Sequence, residues 1–126
     1  MSGQPTSGGG RLRRGLRRFT ASSEEMHAEE LRRDQLSHGD VPIEDAPDRQ
    51  LVTVRGVLRT VTLRPRGGVP ALEAELYDGT GVLTLIFLGR RRIAGVAPGR
   101  SMRATGRIGR HEGTRLIYNP RYELLP

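Results

Sequence analysis

The chain has 126 residues and a formal net charge of +7, with 35% hydrophobic and 4% aromatic residues and neither Cys nor Trp. This length fits one domain and a tail, around a core that has to be small and aliphatic. Without Cys there are no disulfides, thiolate zinc sites or cysteine nucleophiles, and no apolar run nears the roughly 18 residues of a membrane span, so the expectation is a soluble, cytoplasmic protein. In chain order, residues 1–18 carry Arg11, Arg13, Arg14, Arg17 and Arg18 and no acid. Set among Gly and Ser, they make residues 1–21 read as a disordered basic arm, with an organelle transit peptide as the lesser alternative. All 21 basic residues are Arg. The absence of Lys reads as GC-rich coding, and the functional clue is the excess of positive charge.

Residues 19–50 carry three Arg against nine acids, a net −6. Ser22 and Glu25 form a capping-box pair, which predicts an acidic helix over residues 22–38 that stops at Gly39. Its apolar residues Met26, Ala28, Leu31 and Leu36 make no continuous stripe. Residues 39–50, with Pro42, Pro47 and four acids, read as a linker.

Residues 51–126 carry thirteen Arg against Glu73, Glu75, Asp78, Glu112 and Glu123, a net +8. Between Leu51 and Leu63 the apolar phase changes from Val52 and Val54 to Val57, Val61 and Leu63. A slip of one residue at Gly56 predicts a β-bulge that bends one long strand, the alternative being two short strands. After a loop over Arg64–Pro70, Leu72, Ala74 and Leu76 alternate inward. Asp78-Gly79-Thr80-Gly81 then turns into a third strand, Val82–Leu88, with Leu83, Leu85 and Phe87 in the core. Gly89–Gly99 suits a short helix or an irregular connector. A fourth strand, Met102–Ile108, turns at Arg110–Gly113 into a fifth, Thr114 to about Leu124, broken at Asn119-Pro120. Three strands, a crossing segment and two more predict a mainly β protein, a five-stranded Greek-key OB-fold barrel, with a small SH3-like barrel as the alternative.

Val52, Val54 and Gly56, Asp78 to Gly81 running into Leu83, Leu85 and Phe87, then Pro98, Gly99, Gly106, and finally Tyr118, Asn119, Pro120 and Tyr122 carry a resemblance. They resemble the OB-fold nucleic-acid-binding family, which includes anticodon-binding domains of class II synthetases and wedge domains of branch-migrating helicases. The whole chain, with Leu16–Thr20 and the acidic helix, is most similar to small stand-alone actinobacterial OB-fold proteins. The resemblance covers about 75 residues and implies binding on the face of strands two and three, flanked by the loops after strands one and four.

Those loops offer Arg64 and Arg66 on one side and Arg110 and His111 on the other. Tyr77 is the outward aromatic on which a base would stack, and Phe87 is a second candidate that by phase belongs first to the core. Glu73 and Glu75 share the face with Tyr77 and oppose phosphates, which shifts the expected track toward Arg90, Arg91 and Arg92 and the outward row of Arg103 and Arg107, with Arg55 as a further candidate contact. The bland reading of the Arg triplet is a solvated connector. No catalytic residue, metal site or cofactor is expected: His27, His38 and His111 lie in separate segments, and no Lys completes a phosphate-binding loop. The expected partner is single-stranded or branched DNA, or RNA. The alternatives are a protein-binding adaptor on the same fold, and an acidic segment that covers the basic one and inhibits it.

Overall fold

A computed structural model describes residues 23–31 and 40–126. The basic arm, the Ser22 cap and the continuation of the predicted helix to residue 38 lie outside the described residues. Residues 23–31 are helical (α1), with Glu24, Glu25, Glu29 and Glu30 exposed and Ala28 buried. Seven strands follow: β1 (Leu51–Leu63), β2 (Ala71–Tyr77), β3 (Val82–Leu88), β4 (Ser101–Arg107), β5 (Gly109–His111), β6 (Thr114–Tyr118) and β7 (Arg121–Leu124). The protein is therefore mainly β. All seven strands belong to one mixed sheet in the order β5-β6-β3-β2-β1-β4-β7, in which β3 and β6 are parallel and every other pair is antiparallel.

One face of this sheet supplies Val52, Val54, Leu58, Leu72, Ala74, Leu76, Leu83, Leu85, Phe87, Met102, Ala104 and Ile117 to a single buried cluster. A lone sheet can bury one face so completely only by curling around it. The long first strand makes this possible: Leu51 to Val57 pair with β4, and Val57 to Leu63 pair with β2. The bulge that relieves the bend is not at Gly56. Burial alternates without a break through Val52, Val54, Gly56 and Leu58, and the register slips between Leu58 and Thr60, which makes Arg59 the extra residue. Gly56 is needed for a different reason, because a Cβ there would strike the carbonyl oxygen of Tyr77.

The five closed strands expected from the sequence are replaced by seven in a ladder that ends at β5 and β7. Both extra breaks have local causes. Ile108, between β4 and β5, gives its N–H to Gln50 O at 3.1 Å and receives Arg49 N–H at 2.8 Å, so its backbone groups are taken by the preceding segment. Asn119 has φ of 50° and is followed by Pro120, which has no N–H to offer a ladder. There the chain leaves β3 and reaches β4 as β7.

The stretch read as a linker is part of the packing. Ile43 is 1% exposed and joins the core with Ala46. Val41 N–H reaches Thr53 O, and a short 3-10 turn spans Ile43–Asp45. An isolated Ile among acids and prolines carries no periodicity, so nothing in the local pattern marks it as a plug. The connector over residues 89–100 takes the irregular form of the two expected, with Ile93 and Val96 turned into the core.

Candidate nucleic-acid interface

The segment over residues 40–50 is fastened by the turn that follows β2. Asp78 is fully buried, and its Oδ2 accepts Ile43 N–H at 2.8 Å. Its Oδ1 accepts Thr80 N–H at 2.9 Å, the Thr80 hydroxyl at 2.7 Å and Gly81 N–H at 3.1 Å. Four donors offset the cost of burying this polar group away from water. Asp78-Gly79-Thr80-Gly81 is thus both the expected turn and a latch, and Thr80 Oγ1 adds a bond from Glu44 N–H at 3.1 Å. Gly79 lies against α1, since a Cβ on it would meet the backbone of Ala28.

Arginines near this latched segment are occupied by it. Arg103 pairs with Asp40 at 3.4 Å and Glu123 at 3.5 Å, and Arg110 pairs with Asp48 at 3.0 Å. Arg107 donates to Arg49 O at 2.7 Å. Arg115, not anticipated from the sequence, donates through Nη2 to Ile43 O and Ala46 O, each at 2.8 Å. Its Nε is buried with no hydrogen-bond partner, 3.7 Å from Asp48. Arg55 is half-buried beside Arg103 and is itself partnered. His111 is exposed next to Glu112, 3.7 Å away. Four expected contacts, Arg55, Arg103, Arg107 and Arg110, are therefore engaged with the protein itself.

The expected stacking residues also change. The Arg59 guanidinium lies 5.0 Å from the centroid of Tyr77, and Glu24 and His27 of α1 wall the same cleft of about 370 Å³. Tyr77 is covered on one side. Phe87 is 4% exposed and packs edge-on against Tyr122 at 5.6 Å, so it serves the core, as its phase suggests, and offers no open face.

A different picture holds where β1 ends and β2 begins. Arg64 N–H bonds to Ala71 O, and Gly89 N–H bonds to Pro70 O at 2.7 Å, so Arg64 and the Arg90–Arg92 run flank the same two residues. With strands about 4.8 Å apart, the backbones of Arg64 and Gly89 lie roughly 10 Å from each other, and Arg90 to Arg92 follow Gly89 directly. Arg64, Arg90, Arg91 and Arg92 are exposed and make no ion pair or side-chain hydrogen bond with the described residues. Leu63, Val69, Leu88 and Tyr118 are exposed beside them.

Arg66 belongs to this end but is paired. Its Nη2 and Nε lie 2.7 and 2.9 Å from Glu73 Oε2, and its Nη1 donates to the Tyr118 hydroxyl at 3.4 Å. The hydrogen bond with Glu73 raises the Arg66 guanidinium above its ordinary value, so it remains charged. One of the two acids expected to repel phosphate is thereby neutralised. Below them Ala71, Ile86 and Leu116 form a small buried cluster on the sheet face away from the main core. Its sequence trace is slight, because Ile86 sits in a strand that is apolar except for Thr84, so its two faces look much alike.

No group of His, Asp and Glu residues among the described residues could hold a metal ion, and no helix among them is long and apolar enough to cross a membrane. Compared with known proteins, the sequence matches no family model and no curated protein.

Proposed function

We propose that this chain is a non-enzymatic nucleic-acid-binding protein, taking single-stranded or branched DNA, or RNA, chiefly through its phosphates. The observation that carries the reading is the exposed set of Arg64, Arg90, Arg91 and Arg92, which has no ion pair or side-chain hydrogen bond among the described residues, while Arg103, Arg107, Arg110 and Arg115 are engaged with the protein itself. Guanidinium forks of this kind match phosphate oxygens, and a polyanion bridges several at once. The sheet itself supports an OB-type architecture. β4 with β5 is one run interrupted at Ile108, and β6 with β7 is one run interrupted at Asn119-Pro120. Counted as two long strands, they leave five in a partly open Greek key.

Truncation cannot separate an acidic cover from the fold itself. Ile43 and Ala46 are core residues, so deleting residues 1–50 removes part of the fold as well as a cover. The test of function is a titration of the full chain with single-stranded DNA, duplex DNA and RNA oligonucleotides at two salt concentrations. If four phosphates are engaged, affinity for single strands falls about 50-fold between about 50 and 200 mM salt, at a slope of about −0.7 per phosphate. Undetectable binding of every oligonucleotide at the lower salt defeats the proposal.

A further inference from the structure

Resting on that reading, the geometry points to a composite stacking step for one nucleobase, made of the Tyr118 ring with Arg66 laid over one side of it and held there by Glu73. Tyr118 is 45% exposed and its backbone is fixed from both sides. It stands in register with the buried Ile86, and the next residue, Asn119, gives its N–H to Ile86 O at 2.7 Å while its Oδ1 accepts Leu88 N–H at 2.9 Å. Arg66 is fixed equally well. Its backbone closes a two-residue turn with Val69 over Gly67 and Gly68, whose φ values are 56° and 80°. Its guanidinium carbon lies over the Tyr118 ring, 6.0 Å from the centroid, and Nη1 reaches the hydroxyl.

A guanidinium has five N–H donors, and Glu73 and the Tyr118 hydroxyl take three, which leaves about two for a phosphate. Because Tyr118 is exposed, the side of its ring that Arg66 does not cover is left for a base, since every base offers a π-face for stacking. Glu73 is then a positioning residue that fixes Arg66 before the ligand arrives, which lowers the ordering cost of binding. A freely moving Arg66 would follow the phosphates and give no defined step.

The test compares a thymidine oligonucleotide with a strand of the same length built entirely of abasic sites, by fluorescence anisotropy at low salt. Wild type should prefer the base-bearing strand by about tenfold. Tyr118→Ala should bring that ratio to within about twofold of unity with the abasic affinity unchanged, which also reports that the variant is folded, and Tyr118→Phe should retain the ratio. Glu73→Gln should lower the ratio several-fold while abasic affinity stays level or rises, because a negative charge has left the site. A preference that survives Tyr118→Ala, or wild-type binding of the two strands with equal affinity, overturns the stacking step and leaves the phosphate reading standing. Binding of neither strand overturns both.

Discussion

At the end of the sheet crossed by residues 40–50, Arg103, Arg107, Arg110 and Arg115 aim their guanidinium groups at the protein's own carboxylates and carbonyls. At the other end of β1, Arg64, Arg90, Arg91 and Arg92 meet no such group among the described residues. The two sets are alike in number and residue type and differ only in what the fold brings near them. A net charge of +8 over residues 51–126 therefore overstates what a ligand can use. The latched end spends its charge on structure, and the cluster by the Arg64–Pro70 loop keeps its charge for solvent or a polyanion.

Experiments that break this comparison are most forceful at the latched end. Asp78→Ala leaves Ile43 N–H, Thr80 N–H and Gly81 N–H without an acceptor, and should cost about 3 kcal/mol in urea unfolding, since each buried unsatisfied group costs roughly 1–3 kcal/mol. A loss below about 1 kcal/mol would show that the latch is not what holds the segment. Arg115→Ala removes two charged hydrogen bonds to the plug and should destabilise by about 2 kcal/mol, with little effect on oligonucleotide affinity beyond that from unfolding.

The opposite end should respond in the opposite currency. Replacing Arg90, Arg91 and Arg92 together by Ala should leave unfolding within about 0.5 kcal/mol of wild type, as for other exposed substitutions. It should weaken single-strand binding at least about tenfold and flatten the salt slope by about 2, as expected for three lost phosphate contacts. Equal affinity in the triple variant would mean that these arginines are merely solvated. The smallest effect belongs to Arg110→Ala, which breaks an exposed pair with Asp48 and should change stability by about 0–1 kcal/mol and affinity by less than about twofold. A tenfold loss of affinity there would erase the distinction between the ends.

Much of the strand plan is visible in alternation alone. β1 spans Leu51–Leu63 as expected, and the inward sets Leu72, Ala74, Leu76 and Leu83, Leu85, Phe87 are buried together. The glycine in β1 marks a special position, but a phase change does not tell a bulge from a close approach. In the structure the approach of the Tyr77 carbonyl requires Gly56 and the bulge falls at Arg59. Proline after Asn119 signals a break, and the extent of the break depends on β7 finding β4 as a new neighbour. At the candidate site the arginines of the loop and the connector are legible as charge. Their availability is not.

The sequence by itself determined that this is a small, aliphatic, mainly β protein with excess positive charge, because side-chain alternation and composition are local properties that survive without knowledge of the fold. Only the tertiary structure decided that Ile43 is a core plug, that Asp78 latches it, that Glu73 restrains Arg66 at Tyr118, and which arginines among the described residues remain unpaired. These are contacts between residues 7 to 72 positions apart. Pairing at such separations depends on how the sheet curls, which no local pattern encodes.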